Sequence, residues 1–225
     1  MTTLLIPGLL CDAHCWQSVL SRMDAAVADL STQDNLTRMA EDLLALYPGR
    51  LRVAGHSMGA RVALEMARLA PGRIEKLALL DTGIHPLRPG EPEKRAEIVR
   101  YAHDHGMQAL ADRWLPPMVW QGNQSDAALM AGLNAMVLRM NPDLHARQIK
   151  ALVDRPDASA YLAQIACPVL LIVGRQDQWS PVSQHEDMLA LLADARLEII
   201  DEAGHFAPVE RPEAVADLLV PFLKD

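Results

Sequence analysis

Gly55-His56-Ser57-Met58-Gly59 decides how this chain folds. The run before it, Leu51-Arg52-Val53-Ala54, favours a β-strand, and Ala60 to Ala67 after it has the composition and spacing of a helix. Ser57 therefore falls on a sharp strand-to-helix turn. Such a turn needs glycine two positions to either side of the serine, because neighbouring chains must approach without a Cβ for its Oγ to stand clear of the sheet. The helix N-terminus behind the serine adds free amide donors and the positive end of the helix dipole, both suited to a developing negative charge.

Two further segments supply partners in the order Ser, acid, His. The unbroken apolar run Pro168 to Val173 reads as a buried strand, and it exits into Gly174-Arg175-Gln176-Asp177-Gln178-Trp179-Ser180-Pro181. A second strand, Leu197 to Ile200, leads into Asp201-Glu202-Ala203-Gly204-His205-Phe206. In an open α/β sheet the ligand crevice lies at the carboxyl ends of the strands, so the three side chains converge by topology. Ser57 is the candidate nucleophile, His205 the base and then acid, and Asp177 the carboxylate that fixes the imidazole. Asp201 is the rival acid, four residues before His205.

Strand patterns near 3–6, 26–30, 51–54, 74–80, 168–173 and 196–200 alternate with helical patterns near 15–22, 35–47, 58–70, 182–192 and 211–223. That alternation predicts a parallel sheet with helices on both faces. It breaks between Thr82 and about Ala166, where helical patterns follow one another. Methionine and tryptophan concentrate there, and Trp114, Met118, Trp120 and Met136, with Phe206 from the core, are candidate substrate contacts. The alternative for these side chains is simple packing of helices on the sheet.

The 225 residues, 50% hydrophobic and 22% charged, suffice for one well-buried core. A net charge of -8 without a dense basic cluster argues against nucleic acid and fits a small-molecule substrate. No apolar run approaches the ~20 residues of a membrane span, and Met1-Thr2-Thr3-Leu4-Leu5-Ile6 lacks the cationic start of a signal peptide, so a cytoplasmic location is expected. Of the three cysteines, Cys11 and Cys15 flank His14, but no second ligand pair follows; neither a metal nor a cofactor is expected. His56 should point away from the pocket, and His103, His105, His145 and His185 read as surface residues. The sequence assigns no oligomeric state.

The elbow, the Gly174-x-x-Asp177-x-x-x-Pro181 turn and Gly204-His205-Phe206 followed by Glu210-Arg211-Pro212-Glu213 together resemble the α/β-hydrolase fold superfamily over nearly the whole chain. The first segment, Leu4-Leu5-Ile6-Pro7-Gly8-Leu9-Leu10, is similar to its first strand and oxyanion loop. The resemblance implies a mostly parallel, doubly wound sheet of about six strands in the order 2-1-3-4-5-6. It also implies a core formed by residues 1–82 and 166–225, with a helical cap at 83–165. The oxyanion hole would be the backbone N–H groups of Leu9 and Met58. Pro7 stands where histidine is common, Ala60 where glycine is common, and the usual leading antiparallel hairpin is absent. The implied activity is hydrolysis of a small, partly apolar carboxylic ester through an acyl-enzyme. Carbon-carbon bond hydrolases and menaquinone-pathway lyases share the triad. Those lyases resemble this chain at Arg61, which would suit an anionic substrate or is simply solvated. A ligand receptor with a retained triad is the remaining reading.

Overall fold

The computed structural model describes residues 1–224. Six parallel strands form one sheet: β1 (Thr2–Ile6), β2 (Ala26–Val27), β3 (Leu51–His56), β4 (Ile74–Leu80), β5 (Val169–Gly174) and β6 (Ala195–Ile200). Their spatial order is β2-β1-β3-β4-β5-β6, as the superfamily resemblance implied. From β1 the chain first moves outward through α1 (Gln17–Leu20) to β2, then reverses through α2 (Leu36–Leu46) to β3. Right-handed crossovers in opposite directions put their helices on opposite faces of the sheet. Accordingly α2 packs on α3 (Met58–Leu69), whereas α1 packs on the C-terminal helix α9 (Pro212–Lys224).

Every residue of β5 is buried, which explains its unbroken apolar run, while the edge strand β6 is mostly half-buried. Burying each aliphatic side chain of β5 stabilises the fold by about 2 kcal/mol. Pairing is in register at the strand ends: Ile6 lies beside Gly55, His56 beside Leu80, Leu80 beside Ile172 and Gly174 beside Ile200. The loops that follow these strands therefore leave the sheet along one edge.

Between β4 and β5 stand α4 (Glu91–Trp114), α5 (Ala127–Leu138) and α6 (Pro142–Val153), with no strand among them. Gly106, at φ 82°, kinks α4 into two helical pieces. The remaining helices are α7 (Val182–Leu191) and α8 (Ala207–Glu210).

Some expectations need correction. β2 is two residues long, because after Ala28 N–H donates to Leu5 O the Asp29 carboxylate accepts from Ser31 N–H and turns the chain away. The expected helix at 15–22 is a 3₁₀ turn, Ala13–Trp16, running into α1, and a short helix that was not expected, α8, precedes α9, which matches the expected last helix. His145 and His185 are buried and not on the surface.

His185 has a clear reason to be inside. Its Nε2 accepts from Thr82 N–H at 3.1 Å and its Nδ1 lies 3.3 Å from Pro181 O, which suits one neutral tautomer. Burial lowers its pKa to about 4. Because the unfolded chain takes up this proton near the ordinary value of 6.5, stability should fall as pH drops from about 6.5 to about 4 and level off below. The loss from His185 alone is about 3 kcal/mol. Chemical denaturation at a series of pH values should show a flatter slope over that window in His185→Gln; an unchanged slope contradicts this assignment.

Candidate active site

Ser57 occupies the turn from β3 into α3 with φ 54° and ψ -115°, a conformation that costs about 1–3 kcal/mol in a non-glycine residue. The surrounding backbone enforces it. A Cβ on Gly59 would lie 2.2 Å from Ile6 O and one on Gly55 2.4 Å from Gly59 O, so the first turn of α3 can press against the ends of β1 and β3 only without side chains there. Ser57 N–H donates to Leu80 O at 2.8 Å, and Ser57 O accepts from the Thr82 hydroxyl at 3.1 Å.

His205 Nε2 lies 2.8 Å from Ser57 Oγ, and His205 Nδ1 lies 2.8 Å from Asp177 Oδ2. The other carboxylate oxygen of Asp177 accepts from Trp179 N–H at 2.8 Å and Ser180 N–H at 2.9 Å. Burial alone would raise the Asp177 pKa, but the charge and hydrogen bond of His205 and the two amides outweigh it and hold the carboxyl below its usual range. The acid that meets His205 is thus Asp177; Asp201 is exposed and pairs with Arg175.

Sequence reasoning missed the groups that hold these three in place. Buried Glu210 accepts from Gly204 N–H at 2.9 Å, Phe206 N–H at 3.2 Å, Trp120 N–H at 2.9 Å and the Asn123 side-chain amide at 2.9 Å, clamping the loop around His205 to the segment after α4. His205 N–H itself donates to Met118 O at 2.7 Å. His56, beside the serine, has its Nε2 2.7 Å from His205 O. Buried Asp81 follows β4 and accepts from Gly174 N–H at 2.9 Å, and burial and the Asp177 charge raise its pKa well above the usual carboxylate range. A carboxylate directly after an apolar strand, as at Asp81, was one available signal; Glu210 stood in the segment after His205 that carries the family resemblance, but its role as a clamp was not read from it.

Leu9 and Met58 border the cavity in front of Ser57. Among the described residues neither of their amides donates to a protein acceptor, as expected for Met58 at the first position of α3. Leu10, next in the loop, has φ 57° and is pinned by its N–H donating to Gln148 Oε1 of α6 at 2.9 Å.

The cavity measures about 660 Å³. Its apolar wall includes Trp114, Met118 and Phe206, three of the expected substrate contacts. Trp120 and Met136 do not border it: the Trp120 indole packs over Gly122 with the Arg211 guanidinium at 5.8 Å, and Met136 is buried with its Sδ 3.5 Å from Cys15 Sγ. The charged wall carries Arg61, Glu91, Arg95 and Arg155. Glu91 pairs with both Arg95 and Arg155; burial would raise its pKa, yet their hydrogen bonds bring it to about 2. Among the described residues Arg61 is left with His85 O at 3.4 Å and no carboxylate partner. Burial, then repulsion from Arg155 and Arg95, lowers its pKa to about 9.

Residues 4–218 match the model of the alpha/beta hydrolase family. The chain belongs to this family. It is therefore an enzyme of the alpha/beta hydrolase fold. It is 32% identical over 189 residues to the pimeloyl-acyl-carrier-protein methyl ester esterase of Nitrosomonas europaea, covering 80% of this chain and 74% of that one. To the 2-hydroxy-6-oxononadienedioate/2-hydroxy-6-oxononatrienedioate hydrolase of Paraburkholderia xenovorans it is 27% identical, covering 90% and 72%. A thermophilic esterase from Thermogutta terrifontis superposes with a TM-score of 0.91 at 25% identity over 100% of this chain and 89% of that one. Among the described residues no helix of this hydrolase is long and apolar enough to cross a membrane.

Replacing Glu210 by Ala would leave four donors, three of them buried, without an acceptor, at a cost of about 3 kcal/mol or more. Glu210→Ala should lower the melting temperature by roughly 10 °C and slow fluorophosphonate capture of Ser57; a variant with wild-type values for both would contradict the clamp.

Proposed function

We propose that this hydrolase cleaves a small, partly apolar carboxylic ester through a serine acyl-enzyme. The observation that carries the reading is the relay of two 2.8 Å contacts from Ser57 Oγ through His205 to Asp177. In this reading His205 takes the Ser57 proton as Oγ attacks the ester carbonyl, and the oxyanion is held by the Leu9 and Met58 amides. His205 then returns the proton to the departing alcohol. Water, activated by the same imidazole, releases the acid. Asp177, kept ionised, stabilises the imidazolium and its orientation. No cofactor takes part in these steps.

In the same proposal residues 83–165 act as the lid that sets specificity, and Trp114, Met118 and Phe206 take up the apolar part of the substrate. Arg61, without a carboxylate of its own, favours a substrate that carries an acidic group away from the scissile bond. That feature also keeps carbon-carbon bond hydrolysis as the second reading, since the Paraburkholderia relative is named for a dioate. A soluble substrate reaches the site from water.

p-Nitrophenyl esters of increasing acyl length, and monoesters of dicarboxylic acids, should be turned over by the wild type with a chain-length preference. Ser57→Ala should lose at least about 10³-fold in kcat. Full turnover in Ser57→Ala would overturn the assignment, and a labelled but ester-inactive Ser57 would favour the carbon-carbon reading.

A further inference from the structure

Behind the oxyanion loop the chain brings together three soft ligands from two segments. The thiols of Cys11 and Cys15 and a ring nitrogen of His56 all lie within 4.8 Å of one another, and all three residues are buried. The pairing of Cys11 and Cys15 with His14 that the sequence invites is not the one formed: His14 turns its ring toward Gly132 of α5, and His56, at the end of β3, takes its place.

The His56 ring is prepared for the role. Its Nε2 is engaged with His205 O, a carbonyl that can only accept, so Nε2 carries the proton and Nδ1 presents a lone pair. That Nδ1 is buried and has no hydrogen-bond partner among the described residues. An unmatched buried acceptor is costly, and a ligand able to accept its lone pair would recover that cost. The Cys11 thiol lies 3.2 Å from Leu9 O and the Cys15 thiol 3.5 Å from the Met136 thioether, and the two thiols also face each other, which together with burial raises the Cys15 pKa until a cation displaces the proton.

We propose that Cys11, Cys15 and His56 form a binding site for one divalent d¹⁰ cation, zinc or its analogue cadmium. Donor softness points this way, since thiolate and imidazole are the preferred ligands of such ions. Charge balance points the same way: the cation displaces one proton from each thiol, two protons leave for solvent, and two thiolates neutralise the divalent charge. The buried product is a neutral complex and avoids the large cost of an isolated ion. Two sulfur ligands of a tetrahedral zinc stand about 3.8 Å apart, so the cluster has to contract by about 1 Å at most. Cys11 and His56 border the cavity, which gives the ion an entry path and water for the fourth position.

The site is coupled to the reaction centre by covalent neighbours. Drawing Cys11 Sγ away from Leu9 O moves the loop that presents the Leu9 amide, and His56 adjoins Ser57 and holds the carbonyl of His205. Occupancy therefore acts as an off-switch on the enzyme.

Cadmium titration of the reduced full chain tests this. The expected result is one equivalent bound with a sulfur-to-cadmium charge-transfer band, two protons released per ion, and esterase activity lost in step. Cys15→Ser should abolish the band, His56→Gln should weaken binding at least ten-fold, and Cys167→Ser should change neither. Absence of the band in the unaltered protein at stoichiometric cadmium overturns the proposal. So does a band that survives Cys15→Ser at undiminished stoichiometry.

Discussion

The close backbone approach at the elbow is the constraint on which the rest depends. With Gly59 against Ile6 O and Gly55 against Gly59 O, α3 starts almost in contact with the ends of β1 and β3, and Ser57 is forced into its positive-φ conformation. The strain of about 1–3 kcal/mol is small against the burial of the central sheet, so packing holds the serine where local preference would not. The same approach places the first amide of α3 beside the loop that follows β1. The Ser57 hydroxyl and two amides without a protein acceptor among the described residues are thus positioned by a single steric fit.

Around that fit, the helices between β4 and β5 serve as more than a cover. Gln148 of α6 fixes the amide of Leu10, Met118 O accepts from His205 N–H, and Glu210 ties Trp120 and Asn123 to the loop on either side of His205. The cavity wall and the position of His205 are coupled as a consequence. A change among the helices between β4 and β5 that reshapes the cavity wall can also displace the imidazole, and the buried clamp at Glu210 limits how far the two can drift apart.

The fold was legible because its signals are local and redundant. Ser57, Asp177 and His205 each follow a strand that is apolar enough to recognise, and register then aligns the strand ends. Leu9 and Met58 were reached by position in a resembling loop, and both border the cavity. The helical stretch between β4 and β5 was legible only as an interruption. Trp120 and Met136 were expected at the substrate and instead pack elsewhere, because a mixed run of short helices has no single period from which a face can be assigned. His145, His185 and the meeting of His56 with two cysteines were hidden for a different reason. Their surroundings come from segments distant in sequence, and nothing local distinguishes a buried neutral histidine from an exposed one.

The central claim, that the elbow presents Ser57 as a nucleophile activated by His205, is tested most directly by mass spectrometry after reaction with a fluorophosphonate. The account predicts one covalent adduct, mapped to Ser57, whose formation slows by orders of magnitude in His205→Ala. An adduct on another residue, or labelling of Ser57 at the same rate without His205, would contradict it.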